Sequence, residues 1–170
     1  EAVECLKGNG EKRLMDVSKC LAGYMLVAAK KADSIDAAMT LVEDAISSGV
    51  AFDKMKDFVA AQHGDVLYLE DMNLFEKAKY SKVITGNDLI LCTPQADTWE
   101  NIYLVKCNNQ EIGMTSLVLG GGRETKESEI DMTVGIHLNK HLGDAIHSTD
   151  EIAVLYANDE QKLKSAYERF

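Results

Sequence analysis

Apolar residues keep a three- and four-residue beat through the first part of the chain and lose it in the second, so no single secondary-structure type accounts for the whole sequence. Over residues 11–31, Leu14, Val17, Leu21, Met25 and Ala28 recur at the period of one helical face. Lys30 and Lys31 close that helix, where cations suit its dipole. Ser34 is placed to cap a second helix with the face Ala38, Leu41, Val42, Ala45 and Ile46, stopped by Ser48-Gly49. A third carries Phe52, Met55, Phe58, Val59 and Gln62 and ends at Gly64. Residues 11–65 thus read as three short-looped helices with no strand between them. From Ala78 onward β-branched and apolar residues come in short runs, which predicts strands at 81–85, 89–93, 102–107, 132–138 and 151–156. Gly86-Asn87-Asp88 and residues 94–98 have turn composition, 111–119 reads as a short helix, and a charged helix follows Asp159. The expected class is α+β, a helical segment followed by a mixed, mostly β module, with a boundary around residues 73–79.

Composition narrows the function. With 18 basic and 28 acidic residues the 170-residue chain carries a formal charge of −10, which leaves no broad cationic surface for a phosphate backbone and argues against nucleic acid. No apolar run reaches the roughly 18–20 residues that span a bilayer, and the amino end has no basic-then-apolar signal pattern. A cytoplasmic setting is expected, with no membrane partner. Cys5, Cys20, Cys92 and Cys107 form no C-x-x-C pair and read as small apolar fillers. A single proline, Pro94, and no initiating Met make the chain read as a piece of something longer.

The chemistry-bearing clusters each have a plainer reading. Gly120-Gly121-Gly122 followed by Arg123 could cradle an anion, but the spacing fits neither the Walker loop nor the dinucleotide fingerprint, and a helix stop with a close-packed turn explains it better. His137, His141 and His147 lie near Asp144, yet strand-like surroundings would not bring residues four apart together, and no glutamate follows the first histidine. Met55-Lys56 has the wording of a swinging-arm attachment site but falls mid-helix. Ser116, Ser128 and Ser148 lack a glycine-flanked elbow. No catalytic set is visible.

The order of several strings is more specific. Glu1-Ala2-Val3-Glu4-Cys5-Leu6-Lys7-Gly8-Asn9-Gly10 resembles the stretch E-x-L-x-G-x-G of bacterial pyrimidine-nucleoside and thymidine phosphorylases. Ser48-Gly49-Val50-Ala51 and Ala61-Gln62-His63-Gly64-Asp65 are similar to the family's S-G-x-A and A-Q-G-G-D. Leu119-Gly120-Gly121-Gly122-Arg123-Glu124-Thr125-Lys126-Glu127-Ser128-Glu129-Ile130-Asp131, followed by Val134-Gly135-Ile136, resembles its L-G-A-G-R-x-x-K-E-D-x-I-D-x-x-V-G-I block. The likeness is collinear from residue 1 to about residue 158.

The resemblance implies the carboxyl-terminal part of such an enzyme. Residues 1–77 would be the mainly helical tail of the α/β phosphorylase catalytic domain, and residues 78–170 a carboxyl-terminal α/β-hammerhead module. The parent would catalyse reversible phosphorolysis of uridine- or thymidine-type nucleosides to free base and pentose 1-phosphate, with phosphate as co-substrate. The family's phosphate loop and pyrimidine-binding residues match nothing in this chain, so no catalytic or cofactor-binding residue carries over and the fragment alone is expected to be inactive. Glu1 alone carries over, onto the acidic residue that helps bind a metal ion, usually potassium. The parent is expected to be a homodimer formed through an amino-terminal domain, the fragment a monomer. His63 stands where the family has glycine, which puts in doubt a turn needing positive φ. Departures at Asn101-Ile102-Tyr103-Leu104 and at His147-Ser148-Thr149-Asp150 touch the module's periphery. The competing readings are a stand-alone binding module without catalysis, tested by mass gain on biotinylation or lipoylation, and a relative of anthranilate phosphoribosyltransferase, which lacks the module carrying residues 119–136.

Overall fold

The computed structural model describes residues 1–90, 102–123 and 125–170. It comprises two compact units, Glu1–Phe75 and Glu76–Phe170, and the fold is α+β, with helices in both units and a small antiparallel sheet in the second.

The first unit is helical: α1 (Ala2–Leu6), α2 (Lys12–Ala28), α3 (Ile35–Ser47), α4 (Val50–Ala61) and α5 (Leu67–Glu70), followed by a single 3-10 turn, Met72–Leu74. The three longer helices match the periodicity, and the caps show why they begin where they do. Ser34 Oγ accepts the Ala37 N–H at 3.2 Å, and Glu11 does the same for Leu14 at 2.8 Å. Helix α2 packs on α3 through Gly23, whose missing side chain leaves room for Ile35 and Met39. The face picked out by Leu14, Val17, Leu21 and Met25 is exposed instead.

Helices α2 and α4 end in the same way. In α4 the Gly64 N–H donates to the Val59 carbonyl at 2.9 Å and the His63 N–H to Ala60 at 3.0 Å. In α2 Lys31 donates to Leu26 and Lys30 to Val27, both at 2.9 Å. This paired closure places one residue in the left-handed region, and here it is a lysine with φ of 56° and a histidine with φ of 61°. The doubt about His63 is therefore answered: the position does take positive φ, and the stop lies one residue before Gly64. Gly64 is needed for closeness, since a Cβ there would meet Val59 Cγ1 at 2.7 Å.

The second unit holds β1 (Tyr80–Thr85), α6 (Gly86–Ile90), α7 (Asn109–Leu119), β2 (Gly135–Leu138), β3 (Glu151–Ala157) and α8 (Glu160–Arg169). The sheet order is β1-β3-β2, antiparallel throughout, with Tyr80 opposite Ala157 and Gly135 opposite Tyr156. Ala153, Leu155 and Ala157 point to one face of the central strand and are fully buried, and they share a core with Ile84, Leu119, Ile146, Ile152 and Ala166. Helix α8 lies against β3 and β1, and α7 lies against α8.

The predicted strands at 81–85 and 151–156 and the helices at 111–119 and after Asp159 are present. The strand at 132–138 shortens to β2. Two expectations are corrected. Gly86-Asn87-Asp88 is no turn but the start of α6, which also takes in residues 89 and 90, because the Asp88 carboxylate accepts the Thr85 N–H and hydroxyl, each at 2.7 Å, and seeds a helical turn. Residues 91–93 of the strand predicted at 89–93, Cys92 and the turn at 94–98 lie outside the described residues. Residues 102–107 form no strand; they make one bridge, Tyr103 to Ala145, flanked by bonds from Leu104 to Asp144 and from Ile146 to Ile102. Among the described residues no helix is long and apolar enough to cross a membrane.

Relieving the left-handed histidine should show as stability. His63→Gly is expected to stabilise the first unit by about 1 kcal/mol, the steric cost of φ > 0 less the extra freedom glycine has when unfolded. A rise in the urea midpoint followed by circular dichroism checks this, and no change or a fall would contradict it.

Candidate functional site

The long signature string folds into one polar junction of the second unit. Helix α7 stops at Gly120, which has φ of 106°. The chain then turns so tightly that a Cβ on Gly121 would lie 2.9 Å from Ser116 Oγ, and one on Gly122 2.9 Å from Leu117 Cδ1. The glycines are thus a helix stop and close-packed turn, with the Gly120 and Gly121 N–H groups donated to the Leu117 and Ser116 carbonyls.

The strand of chain after this turn returns beneath it. Asp131 N–H donates to the Gly120 carbonyl at 3.0 Å. The Asp131 carboxylate then collects three donors: the Thr133 N–H (3.0 Å) and hydroxyl (2.7 Å) on one oxygen, and the Asn158 amide (2.7 Å) on the other. The same Asn158 amide donates to the Thr133 hydroxyl at 2.7 Å, and its carbonyl accepts the Lys79 N–H at 2.9 Å. The Thr133 hydroxyl, then the Asn158 amide and the Thr133 N–H, hold the Asp131 carboxyl below its ordinary value. Asp131, through its backbone N–H and its carboxylate, and Asn158 therefore tie together the glycine turn, the approach to β2, the end of β3 and the residue just before β1.

A second carboxylate organises the other end of β1. Asp88 accepts the Tyr167 hydroxyl of α8 as well as both Thr85 donors, and these hydrogen bonds lower its pKa to about 2, Tyr167 contributing most. The Lys82 ammonium lies 5.0 Å from the Tyr167 ring centroid.

The three histidines lie on a strand and in the loop after it. His137 sits exposed on β2 opposite Val154, while His141 and His147 lie in the loop beyond. His141 and His147 open two turns of the same make, His141-Leu142-Gly143-Asp144 and His147-Ser148-Thr149-Asp150, in which the aspartate accepts the histidine N–H, at 2.7 and 3.0 Å. Asp150 also takes the Lys140 ammonium at 2.7 Å, which does most to lower its pKa to about 2. Lys56, mid-helix in α4 as expected, is paired with Glu70 at 3.1 Å and lies over the Phe52 ring.

Glu1 is exposed at the N-terminal end of α1 and makes no capping bond. Among the described residues no group of three or more His, Cys, Asp or Glu side chains converges as a metal site. Glu1 alone is too sparse a donor set for a cation, which takes six or more oxygens in the calcium case.

Comparison with known proteins places Asp131, Thr133 and Asn158 inside one family domain. Residues 103–170 match the family profile described as Pyrimidine nucleoside phosphorylase C-terminal domain. Along 161 residues, 94% of its length, the chain is 35% identical to a pyrimidine-nucleoside phosphorylase of Bacillus subtilis (strain 168). It is 32% identical over 158 residues, 93% of its length, to one of Staphylococcus aureus (strain USA300). Residues 103–170 thus carry the carboxyl-terminal domain of pyrimidine nucleoside phosphorylases. It spans about a third of the length of these relatives, 34% of each.

The glycine turn and the Asp131, Thr133 and Asn158 side chains fall inside the matched residues, and Lys79 lies before them. The sequence singled out the glycines and Asp131 but missed Thr133 and Asn158, which stand far apart in the chain and join only through β2 and β3. Asp88 was missed too, although Thr85-Gly86-Asn87-Asp88 has the spacing in which a first-turn acid reaches back to the cap.

Two outcomes are expected. Asn158→Ala leaves the Lys79 N–H and one Asp131 oxygen without their partner and should cost about 1–3 kcal/mol in denaturant unfolding. Asp88 and Asp150 have folded pKa values of about 2 against 3.8 ordinarily, so the stability they supply is complete above about pH 5 and is lost as pH falls from about 4 through 2. Asp88→Asn should flatten that acid limb; an unchanged slope in pH-dependent unfolding would contradict the assignment.

Proposed function

We propose that this chain is the carboxyl-terminal part of a pyrimidine-nucleoside phosphorylase. Residues 1–77 complete the α/β catalytic domain, and residues 78–170 form its hammerhead module. The parent, a cytoplasmic homodimer, uses phosphate to attack the anomeric carbon of a uridine- or thymidine-type nucleoside. A phosphate oxygen bonds to that carbon as the glycosidic bond breaks, the base leaves with the bonding pair and takes up a proton, and pentose 1-phosphate results. The observation that carries this reading is 35% identity along 94% of the chain to a protein of that name, of which the chain accounts for 34%.

In this reading the chain contributes scaffold. The Asp131 junction holds the starts of β1 and β2 and the end of β3 together. Glu1 lends one oxygen to a monovalent cation, potassium in the first instance, whose other ligands come from the rest of the parent. When bound, such a cation would order the phosphate-binding loop. Catalysis needs phosphate and nucleoside held together, and no set among the described residues does that, so in this reading the chain alone is inactive.

The test is a hybrid in which this chain replaces the matching third of the Bacillus subtilis relative. Phosphate-dependent release of uracil from uridine is expected from the hybrid and none above background from the chain alone. A folded hybrid without activity, or turnover by the chain alone at a rate near the intact relative's, would overturn the proposal.

A further inference from the structure

Helix α2 is apolar on two sides, and this chain covers one of them. Met15, Ala22, Gly23 and Leu26 are buried or half-buried on the side that packs against α3. With 3.6 residues to the turn, Leu14, Val17, Leu21, Tyr24 and Met25 fall within an arc of roughly 100° on the opposite side. There Val17 and Leu21 are each 58% exposed, Tyr24 62% and Met25 64%. A helix that is apolar all round is one that is packed all round.

The rest of the first unit agrees. Its buried hydrophobics are Val3, Ala38, Val42 and Leu69, while Leu41, Val50, Phe58, Leu67, Leu74 and Phe75 are exposed. An open apolar groove of about 680 Å³ runs between α2 and α3, with Cys5 and Leu6 of α1 contributing to its wall. So small a core with so much apolar surface outside it is what remains when a layer of a larger domain is missing.

What covers this surface is constrained by size. A second copy seated on the stripe would bury about five side chains from each helix, against the roughly 20–30 residues a side that a stable interface uses. The relatives offer a larger occupant, because the chain accounts for 34% of their length and two thirds of the polypeptide has no counterpart here. We infer that the outer stripe of α2 and the adjoining groove are the surface on which that remaining part of a phosphorylase polypeptide packs, through an apolar face of its own. The inference rests on the function proposed above and specifies which surface joins the two parts.

Met25 is on the stripe, whereas Met132, 87% exposed, lies in the second unit, so side-chain oxidation read by mass spectrometry reports on both at once. In the chain alone both are expected to oxidise rapidly. In the active hybrid Met25 should oxidise at least tenfold more slowly, with Met132 unchanged. Rapid oxidation of Met25 in an active hybrid would overturn the inference and leave the proposed function standing. Protection of Met25 in the chain alone, rising with concentration, would identify a second copy as the occupant and overturn it as well. Equal protection of Met25 and Met132 would show no surface-specific packing and count against it. A hybrid that is folded but inactive would remove the proposed function and this inference together. Val17→Glu with Leu21→Glu gives an independent reading: the chain alone should keep its helical signal, and the hybrid should lose at least tenfold in soluble, active protein.

Discussion

The Asp131 carboxylate is the point on which the second unit depends. Its three donors come from Thr133 and Asn158, and through Asn158 the network reaches the Lys79 backbone. Three strands and a helix terminus are thereby fixed relative to one another by groups that would each be costly to bury unpaired. The apolar core can then be small: Leu155, Ile84 and Leu119 fill the space between the sheet and the two helices, and the polar junction settles register where a handful of aliphatic contacts would leave it loose. The tightness of the glycine turn follows, because Asp131 must come back under Gly120 to bond its carbonyl.

The first unit is built on the opposite plan. Its helices are well specified locally, with side-chain caps at Glu11 and Ser34 and paired closures at Lys30 and His63, but little of their apolar surface is used within the unit. Local order here comes from backbone and capping chemistry, and tertiary burial is left to whatever lies against α2. The two halves of the sequence thus differ in how far each supplies its own core as well as in periodicity.

Much of this was legible in the residues. The three helices of the first part, the Ser34 cap of α3, α7 near 111–119, a strand near 151–156 and the start of α8 after Asp159 all follow from pattern and turn chemistry. The misreadings have definite causes. Residues 89 and 90 looked like the start of a strand by composition, but the reach of Asp88 back to Thr85 places them in a helix, a local hydrogen bond outweighing β-propensity. Residues 102–107 looked like a strand by the same measure and pair with the loop at 143–146 over too short a stretch to become one. The stripe on α2 was found by its spacing, yet spacing says that a face will be covered without saying by what. The Asp131 junction was half visible: its glycines and acid lie in one string, but Asn158 is brought to them only by the sheet.

The order of strands sets how this unit must come together in time. The middle strand of the sheet, β3, is the last of the three in the chain, so among the described residues β1 and β2 have no strand partner until it has been made. Closure waits on a contact spanning α6, α7 and β2, which is slow to form because loop entropy is spent before any pairing is gained. Until then β1 presents unpaired backbone on both edges, an invitation to mispairing. The capping of α6 directly after Thr85 gives β1 a folded neighbour during that interval, and the Lys residues at positions 79 and 82 place charge along the waiting strand.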